Sequence, residues 1–239
     1  MAKEALTSTA RQKLSLVKGK RVPLIYPRSA QGGSNVLSDR IREARTRDEK
    51  EKLYRFRYDV TIGSVAPHAD HFGKRIKDDL DVNAVNLLAL HGSEIVGAVR
   101  INYAWRCALG IHADFYRMRE MAGADHPSRT CVISRLIVHP DFKGRGLGSR
   151  LCAAAYKHAL ERDARFAFLH CKDDLIYYFS VLGFKAYVGR TWHQESGQVV
   201  PMKLALVDEK YLMRIGSPLL PILRGWKQSK QPSPEFVPA

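Results

Sequence analysis

The sequence predicts an α/β domain with a mixed sheet, and three patterns carry that prediction. Residues 131–160 run as a short apolar, β-branched strand, a glycine-rich turn and an alanine-rich helix. Residues 87–90 and 95–101 are apolar runs divided by His91-Gly92-Ser93-Glu94, a hairpin signal. After residue 160 a strand, a short helix and a final pair of strands follow in turn, an alternation that packs helices against a sheet.

The first pattern organises the rest. Pro140 has no N–H for a strand ladder and biases His139 away from helix, so the strand over 131–138 should stop there. Lys143, Gly144, Arg145, Gly146, Leu147, Gly148 and Ser149 follow, with three glycines at alternate positions. Such a turn lets backbone approach a ligand closely, and the unpaired N–H groups opening the next helix form an anion site suited to phosphate. Leu147, Leu151, Ala154, Ala155 and His158 then recur at helical spacing. The spacing fits neither the dinucleotide fingerprint nor the Walker A loop. A glycine-rich turn made for packing alone is the plain alternative.

Taken in order, residues 1–35 are basic, rich in Ser and Gly, and without periodicity, which predicts a loosely packed arm. Residues 40–60 predict a helix with Leu53, Phe56 and Val60 on its apolar face and Arg55 and Arg57 as solvated charges. Residues 61–86 predict a loop in which Asp78, Asp79 and Asp81 form a solvated acidic turn without calcium-loop spacing. Gly97, inside the second hairpin strand, marks a bulge or a close approach. Residues 103–130 carry a helix near 113–121, either a packed cover or the wall of an apolar channel. Residues 166–171 predict a strand, 173–182 a helix ended by Gly183, and 184–189 and 199–207 the last strands. Beyond these, 211–226 is an apolar and basic extension, and 227–239, with three prolines, a tail.

At 239 residues, 45% hydrophobic and 26% charged, the chain is sized and composed for one globular domain. No apolar run approaches the roughly 20 residues needed to cross a bilayer, and the basic N-terminus lacks the apolar stretch of a secretory signal. Cys107, Cys131, Cys152 and Cys171 lie far apart, against both a disulfide framework and a zinc site, so free thiols in the cytoplasm are expected. A net charge of +15 predicts attraction to something acidic. Zinc-finger, RNP and helix-turn-helix patterns are missing, so nucleic acid is not expected; CoA phosphates, an acidic carrier protein or an anionic membrane surface fit the charge.

Leu136-Ile137-Val138-His139-Pro140 with Lys143-x-x-Gly146-x-Gly148 resembles the acyl-CoA pyrophosphate loop of the GCN5-related N-acetyltransferase (GNAT) superfamily, with Lys143 where Arg or Gln is usual. The resemblance covers about residues 46–208, leaving 1–45 as arm and 209–239 as extension and tail. It implies a mixed, mostly antiparallel central sheet flanked by helices, with two central strands splayed apart. It also implies a pantetheine arm on the backbone of Leu136, Ile137 and Val138, and a pyrophosphate on the loop from Lys143 to Ser149. Acyl-CoA, or the phosphopantetheine of an acyl-carrier protein, is then a co-substrate, with no metal and no tightly bound cofactor. The superfamily's second motif places a Tyr four residues before a Gly-Phe pair to protonate the leaving thiolate. Here Phe179 precedes Gly183-Phe184, leaving Tyr178 as a weak substitute expected to face elsewhere, and more simply a core aromatic.

A narrower resemblance rests on Tyr54-Arg55-x-Arg57-Tyr58-x-Val60, on Asp79-Leu80-Asp81 before Asn86-Leu87-Leu88-Ala89, on Gly97-x-Val99-Arg100 and on Ser134-Arg135-Leu136. Together these resemble the long-chain N-acyl amino acid synthases, relatives of the acyl-homoserine-lactone autoinducer synthases. The latter have Glu three residues before the strand Arg, where this chain has Val132, which disfavours lactone chemistry. The resemblance implies transfer of an acyl chain from an acyl-carrier protein or CoA thioester to an amine, in particular the α-amine of an amino acid. Arg135 or Arg100 could hold the acceptor's carboxylate by the guanidinium fork, with Ser134 beside them, or pair with Asp79 or Asp81 as structural ions. His170, at the end of the next strand, is a candidate base or a satisfied structural histidine. Two competing functions are acetylation of a small amine or protein lysine by acetyl-CoA, and acyl-CoA binding without turnover.

Overall fold

The computed structural model describes residues 40–61, 69–107 and 109–230; the basic arm expected over 1–35 and the final stretch 231–239 lie outside the described residues. The chain opens with strand β1 (Arg40–Glu43) and helix α1 (Arg47–Thr61). The single helix expected over 40–60 is thus two elements, because Thr46 starts the helix afresh. Its hydroxyl accepts the Glu49 N–H at 3.2 Å, while the Glu49 carboxylate accepts the N–H groups of Thr46 and Arg45 at 3.0 and 2.7 Å. This reciprocal cap satisfies donors that a helix start leaves open.

A small hairpin of β2 (Ala69–Asp70) and β3 (Arg75–Ile76) follows, then one tight helical turn, Asp79–Asp81. Strands β4 (Val85–His91) and β5 (Glu94–Tyr103) form the expected hairpin, closed by Gly92 and Ser93. The helix expected near 113–121 is split into α2 (Ile111–Phe115) and α3 (Met118–Ala122), with Arg117 between them at φ 47°. Strand β6 (Thr130–Val138), helix α4 (Leu147–Glu161), strand β7 (Phe166–Cys171) and helix α5 (Ile176–Leu182) sit where the sequence places them. Strands β8 (Lys185–Ala186), β9 (Thr191–His193) and β10 (Gly197–Ala205), then helices α6 (Glu209–Ile215) and α7 (Leu220–Lys230), complete the order.

Seven strands run β1-β4-β5-β6-β7-β10-β8, and β9 joins through β10. Every pairing is antiparallel except β6 with β7, so the sheet is mixed and mostly antiparallel, as expected. Side chains alternate between its faces. On one face α4 packs Leu147, Leu151, Ala155 and Ala159 against Val99, Ile101, Cys131, Ile133 and Leu169. On the other, α1 covers Leu88 and Ala98, and the α2–α3 segment covers Val132 and Phe168 with Tyr116 and Met118. At Gly97 an added Cβ would meet Leu151 Cδ1 at 2.9 Å and the Ile137 carbonyl at 3.2 Å, so glycine there lets α4 lie close on the sheet.

Two irregularities position the site. Strands β6 and β7 pair only over Thr130 to Val132 against Phe166 to Phe168, and past that point they part. Opposite β5, the register of β6 shifts between Ser134 and Ile137, where Arg135 adopts φ 53°. This bulge sends two consecutive side chains, Ser134 and Arg135, to the face opposite α4, and the left-handed conformation costs about 1–2 kcal/mol.

Candidate active site

One mouth of the gap between β6 and β7 is the glycine turn. Gly144 and Gly146 hold φ 75° and 76°, values that favour glycine, and Gly146 caps α4 without any side chain in the way. The first N–H groups of a fifteen-residue helix therefore face outward as an anion site. Lys143, Arg145 and Arg150 stand exposed around it. From Ser134 onward β6 is only half-buried, and β7 supplies no ladder partner to Leu136, Ile137 or Val138. That strand edge is open to another backbone-like chain, as an amide-bearing pantetheine arm is.

Tyr178 faces this mouth. Its hydroxyl lies 3.3 Å from Ser149 Oγ and 3.8 Å from Cys152 Sγ, on the first turns of α4, and 3.2 Å from where a Cβ on Gly148 would sit. The expectation that it turns away from the site is corrected, because Phe179 takes the core-facing position against Phe184 and leaves Tyr178 the side toward α4. Burial pushes the Tyr178 phenol up, so the group stays protonated at neutral pH.

Across the sheet lies a chain of charges. Arg57 is 1% exposed and gives Nη1 to both Asp81 oxygens at 2.9 and 2.8 Å, and Nη2 to Asn86 Oδ1 at 2.7 Å. Arg100 reaches Asp81 at 3.3 Å, pairs closely with Asp78, and gives Nε to Ser134 Oγ at 3.0 Å. Arg135 gives Nη2 to Asp78 at 2.7 Å and to Glu195 at 2.9 Å. Burial alone would raise the Asp78 carboxyl, but the charges and hydrogen bonds of Arg100 and Arg135 outweigh it and hold the group well below the carboxylate range. Arg57 and Asp81 are thus buried ions and Asp78 a largely buried one, contrary to the solvated roles expected of them, while Asp79 is exposed as expected: a paired charge tolerates a dry site that a lone one cannot. The structural pairing of the strand arginines runs to Asp78 and Asp81.

Beside this chain is an aromatic and histidine cluster. His170 Nδ1 is 2.8 Å from the Tyr116 hydroxyl and Nε2 is 3.1 Å from Ser196 Oγ, with the His193 ring tilted at 36° and its centre 4.2 Å away. Burial, with smaller contributions from His193, His112 and Arg135, pushes its pKa down to about 3, so both nitrogens serve as neutral hydrogen-bonding groups. A cavity of about 620 Å³ opens between the 77–80 turn, α2 and the β9–β10 hairpin. Leu80, Leu109, Phe115 and Trp192 give it apolar walls, and Asp78, Glu195, His112 and His193 give it polar groups. Among the described residues no cluster of His, Cys, Asp and Glu is arranged to hold a metal ion.

The structure brings Arg100, Ser134 and Arg135 together on this face, places Leu136 through Ser149 and Tyr178 at the other mouth, and sets His170 between β7 and the hairpin. Sequence reasoning missed Asp78 as the hub, Glu195, and the pair His112 and His193. Only Asp78 left a signal, as one of four near-consecutive acidic and apolar residues before a strand.

A sheet opened between parallel strands, with a helix N-terminus at one mouth, is the architecture of acyltransferases that grip a pantetheine thioester largely by backbone. A sequence profile of the Acetyltransferase (GNAT) family matches residues 45–184, and the chain belongs to that family. Among solved structures the chain is similar to FeeM, an N-acyl amino acid synthase from uncultured soil microbes, with a TM-score of 0.60 over 77% of this chain and 97% of that one at 12% identity. It is similar also to BjaI, a CoA-dependent acyl-homoserine lactone synthase (TM-score 0.57, 76% and 92% covered, 18% identity), and to the AHL synthase LasI (0.55, 70% and 88%, 13%). At these identities the likeness is one of fold. A comparison with curated protein sequences finds no match.

Proposed function

We propose that this GNAT-family acyltransferase moves a medium or long acyl chain from the thioester of an acyl-carrier protein or CoA to an amine, the α-amine of an amino acid in particular. One observation supports the reading: the gap between β6 and β7 has a phosphate-suited helix start on the α4 side and a pocket on the opposite side, where Arg135 at the β6 bulge bonds the pocket's Asp78 and Glu195. Donor and acceptor would enter from opposite faces and meet at the bulge. Amide formation needs a neutral amine held against the carbonyl, donors to polarise that carbonyl, and a path for one proton. Unpaired β6 backbone supplies the donors. The guanidinium of Arg135, only partly used by its two carboxylates, suits an acceptor carboxylate. The resemblance to N-acyl amino acid synthases in residues 54–60, 79–89, 97–100 and 134–136 supports the acyl and acceptor classes.

The carrier-protein donor is favoured by charge. CoA needs a few cations at one loop, whereas the +15 net charge would steer an acidic protein over a wide surface. The test is to measure release of free thiol and mass of the acylated amine, with the same acyl chains on carrier protein and on CoA, across a salt series. The reading predicts amine-dependent release that rises with chain length, and a carrier advantage that collapses at high salt, where the Debye length shrinks to roughly 3 Å. Turnover with acetyl donors alone would assign ordinary acetylation. Equal efficiency with equally shallow salt dependence would rule out the carrier.

A further inference from the structure

The pocket offers several groups to an attacking amine, and the geometry separates them. Asp78 is bound by Arg100 and Arg135, and Glu195 by Arg135. Lys77 is exposed, with its Nζ 5.8 Å from the centre of the Tyr54 ring. Asp79 is exposed to water at the rim of the pocket. His193 accepts the N–H groups of Glu195 and Ser196 at Nδ1, each at 3.3 Å, so its hydrogen sits on Nε2 and its lone pair is taken. His170 does not line the pocket. Tyr116 is 1% exposed and its hydroxyl has no other acceptor among the described hydrogen bonds, so it donates to His170 Nδ1, and Nε2–H donates to Ser196.

His112 remains. It sits on α2 in the pocket wall, half-buried, with its ring 5.9 Å from that of His193, and no described hydrogen bond engages either of its nitrogens. We propose that His112 is the general base that accepts the proton of the acceptor amine as it attacks the thioester. The proposal rests on the acyl-transfer reading above. In the step, the C–N bond forms and the nitrogen, now cationic, becomes acidic and passes one proton to the imidazole. The C–S bond then breaks, and the thiolate is protonated in turn, by the imidazolium or by solvent. The charged and titratable groups that face His112 are His193 and Glu195 from the hairpin, Lys77, Asp78 and Asp79 from the 77–80 turn, Arg100 from β5, Arg135 from β6 and His170 from β7. Burial, aided by the two arginines and opposed by Glu195 and Asp78, lowers its pKa, which keeps the lone pair available at neutral pH.

The experiment measures amine-dependent thiol release by wild type, His112→Ala, His112→Gln and His170→Gln in the full chain, with thermal unfolding of each. The expected result is a loss of roughly 10²–10⁴-fold in kcat for both His112 variants at unchanged melting temperature. Added imidazole should restore part of the His112→Ala rate, and the acid limb of the wild-type pH profile should vanish in His112→Gln. His170→Gln should lower the melting temperature while retaining the acid limb. If wild type turns over but His112→Ala keeps full activity, or its loss is matched by unfolding and imidazole restores nothing, the base assignment is overturned and acyl transfer stands. If wild type releases no thiol with any amine, both are overturned.

Discussion

The two mouths of the β6–β7 gap are built by opposite means. On the α4 side, seven consecutive residues, Lys143 to Ser149, form the turn and helix start to which we assign the donor's phosphate, and side chains matter there mainly by being absent. On the pocket side, Arg57, Asp78, Asp81, Arg100, Arg135 and Glu195 come from five separate places in the chain and work only through paired side chains. A backbone site is robust and recurs with the same few residues. A side-chain site is specific to its occupant and fails when one member is lost.

That contrast can be broken by mutation. The largest effect belongs to Asp81→Ala, which leaves Arg57 charged at 1% exposure without its carboxylate partner, a loss of about 3–5 kcal/mol in denaturant unfolding. On the other side, Gly148→Glu should leave the protein folded but abolish donor binding in calorimetry, since each charge-assisted bond lost is worth about 1.5–3 kcal/mol. Unchanged donor affinity in the folded variant would remove the phosphate assignment. The histidine cluster adds a pH dependence. Burial holds folded His170 near pKa 3 against about 6.5 when unfolded, so the unfolded chain takes the proton first. Stability is therefore full above pH 6.5 and falls as pH drops toward 3, by about 1.4 kcal/mol per unit from this group. Wild type minus His170→Gln, measured between pH 6.5 and 4.5, should show that slope. The smallest effect is Arg135→Lys, which keeps the charge but loses the fork. It should reduce turnover about tenfold while the melting temperature barely moves, and a matched loss of both would make Arg135 purely structural.

How much was legible follows from the same difference. The glycine turn, the β4–β5 hairpin and the gap itself are local or family-marked, so they could be read along the chain. Arg57 looked like a surface charge because its helix neighbours Arg55 and Asp59 are exposed; nothing near it in sequence announces Asp81. Glu195 and His193 sit in a polar hairpin that reads as ordinary loop until Trp192 and Gln198 are seen to pair. His112 lies where one helix was expected and two short ones occur, divided at Arg117. The roughly 100° between neighbouring helical positions sets Phe179 inside the core and leaves Tyr178 packed at its edge, with its hydroxyl toward α4.

Strand order has a consequence for synthesis. β10 lies between β7 and β8, and Leu212, Leu219 and Leu223 of the segment after it are at most 1% exposed in the main core. A ribosome adding about 5–20 residues per second presents β7, with its Phe-Ala-Phe-Leu run, for some seconds before the strand that covers its outer edge has emerged. Across that interval the nascent chain carries an unpaired apolar edge on one side and an opened gap on the other, the state in which strands recruit neighbours. Folding from the N-terminus can therefore complete this sheet only after β10 and the helices that follow it have emerged.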